Sequence, residues 1–252
     1  MAPTGKIPAT AMVLAAGLGK RMRPISDTLP KPLVRVAGRT LLDWGLDSLA
    51  AAGVERAVVN VHHLADQIRA HVATRSRPSV VVSDETAGLL DSAGGIVKAL
   101  PLLGPGPFFV LNADTFWVDG ARPDLVGLGL AWNAARMDIL LMLADPSSAT
   151  GHTGKSDFLV DRDGRLRRSA GAPEGLIYAG AAIVDPAIFQ NAAAGPHSLN
   201  LYFDRAIAAG RLHGYRMEGR WVTVGTPDAI PLAEAAVAQA MASSRTVAMI
   251  PP

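Results

Sequence analysis

One stretch of the sequence, LAAGLGKRMRPISDTLPKPL at residues 14–33, concentrates residue types that bind phosphate groups. It contains two glycines, four cationic side chains and three prolines, and it begins inside the apolar run AMVLAAG. Backbone amides around Gly17 and Gly19 are accessible to a phosphate because neither glycine has a side chain. Neighbouring lysine and arginine side chains would neutralise a polyanion. These residues therefore predict a site for a phosphorylated ligand.

The segment Pro30-Lys31-Pro32 predicts a cation that is carried on stiff backbone. Proline fixes its own φ angle and biases the preceding residue toward an extended conformation, so we expect Leu29 and Lys31 to be extended. A pre-organised cation can stabilise charge that moves during a reaction. The alternative is a solvated basic loop, which the combination of glycines, cations and prolines disfavours.

The first 146 residues alternate short apolar runs with longer amphipathic runs, which is typical of a β-α-β-α fold. The strand-like runs are TAMVLAA, RAVVNVH, SVVVSDE, PFFVLNAD and DILLMLADP. The helix-like runs are TLLDWGLDSLAAAG, ADQIRAHVAT, SAGGIVKALPLLG and DLVGLGLAWNAARM. Strands without polar alternation are buried on both faces of a sheet. We therefore predict an α/β fold with a Rossmann-like, doubly wound and mainly parallel sheet.

After Pro146 the alternation of strand-like and helix-like runs ends. FLVDRDGRLRR predicts a hairpin that turns at Asp163-Gly164, and GLIYAGAAIV predicts a further strand, so we expect a small antiparallel addition over one end of the sheet. The Ala-rich segment AEAAVAQAMASS predicts a closing helix. Without a linker rich in Gly, Pro or Ser, residues 1–252 are predicted to form a single domain, with one part at about 8–146 and another at about 147–252.

Composition excludes several classes of function. The chain has no cysteine, which rules out disulfides, thiolate zinc sites and cysteine nucleophiles and fits a reducing compartment. Its 24 Lys and Arg against 22 Asp and Glu form no long basic run, which disfavours a nucleic-acid partner. No apolar stretch reaches the roughly 18 residues of a membrane span, and Lys20 and Arg21 interrupt the first one. We expect a cytoplasmic protein with no membrane partner.

Two motifs for other nucleotide-binding proteins are disfavoured by their context. The dinucleotide fingerprint G-x-G-x-x-G requires a third glycine where this chain has Met22. The segment ATGHTGKS at residues 149–156 matches a relaxed Walker pattern, but a P-loop must open a helix and the following DFLVDRDGRL has a strand and hairpin pattern. The first strand instead predicts a ligand site at its carboxyl end, where open parallel sheets bind ligands.

LAAGLGKRMRPISDTLPKPL resembles the signature L-A-A-G-x-G-[T/K]-R-[M/L]-x-P-x-T-x-x-x-P-K-P-L of the sugar-1-phosphate nucleotidyltransferases, and differs chiefly at Ser26, where threonine is usual. The similarity continues through VVNVHHLADQI, LLDSAGGIVKAL, FFVLNAD, YAGAAIVDPAIF and WVTVGTPDAI. This resemblance implies that residues 8–146 bind the nucleotide and that residues 147–252 bind the sugar and close the site.

Within this family, the short chain and LLDSAGGIVKALPLLG are most similar to members that use UTP and N-acetylmuramic acid 1-phosphate in peptidoglycan recycling. Guanylyl or uridylyl transfer to a heptose or hexose 1-phosphate is the alternative activity. A nucleotide or sugar-nucleotide sensor of the same fold, without turnover, is a third hypothesis. The implied partners are a nucleoside triphosphate and a sugar 1-phosphate, and we expect a monomer or a small homo-oligomer.

The resemblance also implies a reaction and its residues. The sugar phosphate, already an anion, attacks the α-phosphorus and pyrophosphate leaves, with Mg²⁺ bridging the phosphates. The implied catalytic residues are Arg21, Lys31 and Asp114, of which Asp114 is also the metal ligand. The implied nucleotide-binding residues are Ala15, Ala16, Gly17, Gly19, Lys20, Glu85, Asp91, Gly94 and Asn112. The implied sugar-binding residues are Lys155, Asp157, Gly180 and Asn200.

The sequence departs from the family pattern at Thr223. The family commonly has W-x-D-x-G-T, with a second metal carboxylate, where this chain has WVTVGT. A hydroxyl is a much weaker magnesium ligand than a carboxylate. We expect Asp114, substrate phosphates and water to hold the metal, or Asp228 to assist. The preferred interpretation of Asp228 is a place in the first turn of a helix capped by Thr226.

Overall fold

The structure is a computed structural model that describes residues 5–248. Its helices are α1 (Leu41–Ala51), α2 (Ala65–Val72), α3 (Asp91–Leu103), α4 (Asp124–Ala131), α5 (Asn200–Ala208) and α6 (Ala229–Ala248). Its strands are β1 (Thr10–Leu14), β2 (Arg35–Val36), β3 (Arg39–Thr40), β4 (Arg56–Val61), β5 (Ser79–Asp84), β6 (Phe108–Asn112), β7 (Thr115–Val118), β8 (Ile139–Ala144), β9 (Phe158–Val160), β10 (Leu166–Arg168), β11 (Ile177–Val184), β12 (Leu212–Arg216) and β13 (Arg220–Thr223). Short 3-10 turns lie at Lys20–Met22, Ile25–Asp27, Lys31–Leu33 and Pro186–Phe189.

A seven-stranded sheet in the order β12-β8-β11-β6-β1-β4-β5 forms the centre of the fold. Neighbouring strands pair in parallel, except that β11 is antiparallel to both β6 and β8. The predicted α/β class with a mainly parallel sheet is therefore confirmed. The prediction for GLIYAGAAIV was wrong in one respect, because this strand lies inside the sheet and not over its end. Its small apolar residues are buried on both faces, as in a central parallel strand.

Helices cover both faces of the sheet. On one face, Leu46 of α1, Ile68 of α2 and Leu128 of α4 pack in one hydrophobic cluster. On the other face, Ile96 of α3 and Phe203 of α5 pack in a second cluster. A third cluster joins the closing helix α6 to the phosphate-loop region and to β7. This arrangement leaves the carboxyl ends of β1 and β6 side by side at one edge.

Two small antiparallel pairs complete this edge. The predicted hairpin is confirmed as β9–β10, with Gly164 at a φ of 80° and the Asp161 carboxylate accepting two turn amides. The pair β7–β13, which the sequence analysis did not predict, aligns Thr115 with Thr223. Within residues 5–248, we find no helix that is both long enough and apolar enough to cross a membrane.

Candidate active site

A cavity of about 620 Å³ lies at the carboxyl ends of β1 and β6. This is the position that the parallel strand order predicts for a ligand. The cavity is also lined by Leu89 and Ser92 near the start of α3 and by Gly225 after β13. The residues expected from the sequence that line it are Ala15, Ala16, Gly17, Gly19, Lys20, Arg21, Lys31, Glu85, Asp91, Asn112 and Asp114.

The phosphate loop folds back on itself at Gly19. Gly19 has a φ of 60°, and a Cβ there would lie 3.2 Å from the Cβ atoms of both Lys31 and Ser26, so the position requires glycine. The Ser26 hydroxyl donates to the Gly19 carbonyl at 2.8 Å. Lys20 and Arg21 begin the next 3-10 turn and are exposed. The loop therefore presents two exposed cations on a fixed backbone.

Lys31 is brought against Asp114, although the two lie far apart in the sequence. The ammonium group donates to Asp114 Oδ2 at 2.7 Å, with the lysine side chain 11% exposed and the aspartate side chain 39% exposed. The expected extended conformation of Lys31 was wrong, because Lys31 begins a 3-10 turn. Two hydrogen bonds close this turn, from the Leu33 amide to Pro30 at 2.8 Å and from the Val34 amide to Lys31 at 3.0 Å. These bonds outweigh the extended bias that Pro32 imposes.

Among the described residues, Asp114 is one of three carboxylates that line the cavity, and it is the one expected to hold the metal. Its carbonyl accepts the Val224 amide at 3.1 Å, which ties the closing segment to the end of β6. Within the described part of the chain, no group of three or more acidic or histidine side chains could hold a metal ion by itself. Mg²⁺ is commonly bound by one or two carboxylates together with substrate phosphates and water. The donor set at Asp114 therefore fits magnesium that arrives with a triphosphate.

Neither Thr223, at the place of the family's second metal carboxylate, nor Asp228, considered as an assisting ligand, is among the residues that line the cavity. Thr223 pairs with Thr115 in the β7–β13 ladder, and its amide donates to the Thr150 carbonyl at 2.9 Å. Asp228 is exposed and directly precedes α6. The Thr226 carbonyl accepts the Ala229 amide at 3.1 Å at the start of this helix.

A buried polar chain connects the phosphate loop to the loop before α3. Asn60 is 2% exposed, and its Oδ1 accepts the Ala15 amide at 2.7 Å. Its Nδ2 donates to Glu85 Oε1, also at 2.7 Å. Glu85 is 1% exposed, and its Oε2 accepts the Leu90 amide at 3.2 Å. We call this chain the Glu85–Asn60–Ala15 relay.

The relay changes the interpretation of two expected nucleotide ligands. Glu85 and the Ala15 amide line the cavity, but their polar atoms are already engaged within the relay. Sequence reasoning missed Asn60, and the available signal was a single amide in the otherwise apolar strand RAVVNV. A buried polar side chain in such a strand must have partners, because an unpaired one costs about 1–3 kcal/mol.

The loop that enters α3 has a strained backbone at the cavity. Asp91 is exposed at a φ of 59°, a conformation that non-glycine residues seldom adopt. Gly94 is not among the residues that line the cavity. Its amide donates to the His197 carbonyl at 3.2 Å, and a Cβ there would lie 2.5 Å from the Gly195 carbonyl oxygen. Gly94 therefore stabilises the loop through its contacts with Gly195 and His197.

The four expected sugar-binding residues lie outside the lining of this cavity. Asp157 accepts the Tyr178 amide at 2.9 Å, and Gly180 has a φ of 77° with Thr115 packed against it. Lys155 is exposed on the loop that precedes β9, and this loop opens no helix, as expected for a segment that is not a P-loop. Asn200 accepts a hydrogen bond from Arg168 at 3.0 Å on the surface.

Comparisons with known proteins agree with the fold. Residues 11–124 match the model of the MobA-like NTP transferase domain. An N-acetylmuramate alpha-1-phosphate uridylyltransferase of Caulobacter vibrioides is 44% identical over 238 residues, covering 92% of this chain and 98% of that protein. A protein of the same description from Neisseria meningitidis is 35% identical over 228 residues, covering 86% of this chain and 93% of that protein.

The solved structures reproduce the architecture. A UDP-glucose pyrophosphorylase crystallised with UDP-glucose superposes with a TM-score of 0.74 at 17% sequence identity. The alignment covers 91% of this chain and 98% of that chain. At this level of identity the likeness concerns the fold alone.

Proposed function

Since this chain belongs to the sugar-1-phosphate nucleotidyltransferase family, we propose that it joins UTP to N-acetylmuramic acid 1-phosphate and releases pyrophosphate. The observation that carries the choice of substrates is the 44% identity, over 92% of the chain, with a relative of that description. The chemistry is supported by a cavity in which a cationic glycine loop faces the pair formed by Lys31 and Asp114.

The reaction needs positioning and charge neutralisation more than proton transfer. An oxygen of the sugar phosphate is already anionic, so it attacks the α-phosphorus without a general base, and the bond to the pyrophosphate oxygen breaks. The backbone around Gly17 and Gly19 leaves room for the triphosphate, and Arg21 neutralises the departing pyrophosphate. Bringing two polyanions together in line is the main barrier, and fixed cations lower it.

Lys31 is the fixed cation of this mechanism. Its side chain is mostly removed from water and is held at 2.7 Å by Asp114 before any substrate arrives. A cation that is already oriented needs little reorganisation when charge develops on the α-phosphate and the attacking phosphate. Asp114 would hold Mg²⁺, which when bound spreads positive charge over the phosphate oxygens.

The sugar side must recognise a carboxylate, because N-acetylmuramic acid carries one. Lys155 lies exposed on the loop before β9, next to Asp157 in the same loop. We assign Lys155 to the sugar carboxylate, and Asp157 together with Gly180 of β11 to the sugar ring. The use of UTP as a substrate and the absence of cysteine both support a reaction in the cytoplasm.

The proposed substrates are tested by pyrophosphate release from UTP, GTP, CTP and ATP, each against a panel of sugar 1-phosphates. The panel includes N-acetylmuramic acid, N-acetylglucosamine, mannose and heptose 1-phosphates. We expect UTP with N-acetylmuramic acid 1-phosphate to be the productive pair. Productive guanylyl transfer to a heptose or mannose phosphate would overturn the choice of substrates. Binding without turnover for every pair would identify a sensor.

The role of Asp114 is tested in the same assay with Asp114→Asn. We expect the loss of magnesium-dependent turnover, because the variant keeps the shape of the side chain but removes its charge. Asp66→Asn is the matched control, since Asp66 pairs with Arg69 on the surface of α2 and is expected to leave turnover unchanged. Magnesium-dependent turnover at the normal rate in Asp114→Asn would exclude Asp114 as the metal ligand.

A further inference from the structure

Tyr178 lies on the face of the central sheet that α3 and α5 cover, near the edge at which the cavity opens. Val110 of β6 and Ala182 of β11 are paired in the ladder, and both side chains belong to the cluster on the face that α3 and α5 cover. Tyr178 packs against the same cluster, four residues before Ala182. Asn112, two residues beyond Val110, lines the cavity. Because β11 runs antiparallel to β6, Tyr178 lies toward the same edge of the sheet as Asn112.

The ring of Tyr178 is held in place from behind. Phe203 of α5 contacts it edge to face, with ring centroids 5.5 Å apart and an interplanar angle of 79°. This packing uses only the aromatic ring, so a phenylalanine would make the same contact. The hydroxyl of Tyr178 is therefore not needed for the packing.

The phenolic oxygen of Tyr178 is buried and has no hydrogen-bond partner among the described residues. A buried donor without a partner destabilises the folded state relative to one that is paired. The chain thus carries a polar atom that weakens the folded state of the free protein. Such atoms are found where a bound ligand supplies the missing partner, since hydrogen bonds at active sites often close only in the substrate complex.

The charges around Tyr178 indicate which kind of ligand atom would be the missing partner of its hydroxyl. Burial raises the pKa of the phenol above its usual range, and the negative charges of Asp114 and Asp157 raise it further. The hydroxyl therefore stays protonated at physiological pH and acts as a donor, not as a base. Asp157 is bound to the amide of Tyr178 itself, and Asp114 is the residue that we place at the reacting phosphates.

We propose that the Tyr178 hydroxyl binds the sugar 1-phosphate, donating a hydrogen bond to one of its oxygens beside Asp114. This inference rests on the proposed function and adds a substrate-binding residue to it. The buried hydroxyl donates to the sugar 1-phosphate and plays no part in binding the nucleotide. An ordered water that satisfies the hydroxyl in every state is the competing explanation.

The test is Tyr178→Phe, with Tyr215→Phe as the matched control. Tyr215 lies on β12 and packs against Gly127 of α4, in the cluster on the opposite face. We expect Tyr178→Phe to raise the KM for the sugar 1-phosphate about tenfold, as loss of one hydrogen bond to a charged oxygen does. The KM for the nucleotide should not change, and the melting temperature should be unchanged or higher. Tyr215→Phe should leave both KM values unchanged.

Two results would overturn the proposal. An unchanged KM for the sugar 1-phosphate in a folded Tyr178→Phe would mean that the substrate does not use the hydroxyl. A lower melting temperature with equal changes in both KM values would indicate a structural role. The measurement uses whichever nucleotide and sugar phosphate prove productive in the substrate screen. Failure of the proposed substrate pair is therefore distinct from failure of the Tyr178 assignment.

Discussion

Replacing Gly95 with alanine is expected to weaken nucleotide binding, although Gly95 is not among the residues that line the cavity. Gly95 lies inside α3 directly beneath the Glu85–Asn60–Ala15 relay. A Cβ at this position would lie 2.6 Å from Glu85 Oε1 and 2.9 Å from Asn60 Nδ2. Neither atom belongs to an exposed, freely moving side chain, so the relay itself must shift.

The expected magnitude follows from two opposing effects. Alanine is better than glycine in a helix interior by about 1 kcal/mol. Overpacking of a buried site costs about 1–3 kcal/mol. Gly45 offers a matched control, because it is also a buried helix glycine but a Cβ there would only make an ordinary contact with Leu111 at 3.6 Å. The difference in free energy of unfolding between Gly95→Ala and Gly45→Ala isolates the overpacking cost of about 1–3 kcal/mol.

Urea unfolding of both variants measures this difference, and steady-state kinetics measures the effect on the substrates. We expect Gly95→Ala to raise the KM for the nucleotide severalfold, because displacement of Glu85 and Asn60 moves the Ala15 amide and the Leu90 loop together. The KM for the sugar 1-phosphate should change less. Equal stability of the two variants, together with a normal nucleotide KM for Gly95→Ala, would refute the role assigned to the relay.

Three further predictions concern single residues. Lys31→Ala should lower kcat on the order of 10²-fold or more, because a fixed cation is lost from the reacting phosphates. Near-normal turnover in a folded variant would favour the alternative interpretation of Pro30-Lys31-Pro32 as a solvated basic loop. Thr223→Asp should lower the magnesium concentration for half-maximal activity, since it adds an anionic oxygen next to the Thr115 position; an unchanged value would place residue 223 outside the metal shell. His213 is 2% exposed, and burial lowers its pKa from the ordinary 6.5. The unfolded chain therefore takes up the proton first, so the free energy of unfolding should fall as the pH drops below about 6.5, and urea unfolding of His213→Leu should show a smaller fall.

The sequence predicted those features of the fold whose position depends on composition and strand direction. Apolar runs predicted the parallel strands, and strand direction predicted a ligand site at the carboxyl end of the first strand. That Lys31 and Asp114 belong to this site was implied by the resemblance to the nucleotidyltransferases. The place of β11 could not be predicted in the same way. An antiparallel strand inside a parallel sheet is buried on both faces and therefore has the same apolar composition as its neighbours.

The remaining differences come from hydrogen bonds that residue types alone do not reveal. The conformation of Lys31 depends on hydrogen bonds that close a 3-10 turn, and proline preferences alone do not predict them. The role of Glu85 depends on Asn60, which lies in a different strand and whose partners the sequence does not reveal. The sugar-binding assignments of Lys155, Asp157, Gly180 and Asn200 stay predictions.

The Glu85–Asn60–Ala15 relay has a consequence for the design of enzymes with altered nucleotide preference. Exchanging only the loop at residues 86–91 between two related enzymes would place a foreign segment, which we propose contacts the nucleotide, on an unmatched support. A functional chimera must transfer Asn60, Glu85 and Gly95 as well, from three separate parts of the chain. The hairpin β9–β10 is not free for exchange either, because Phe158 and Leu166 are buried in the cluster that α3 and α5 cover. Under the proposed function, a change of nucleotide preference would therefore require coordinated changes at Asn60, Glu85 and Gly95.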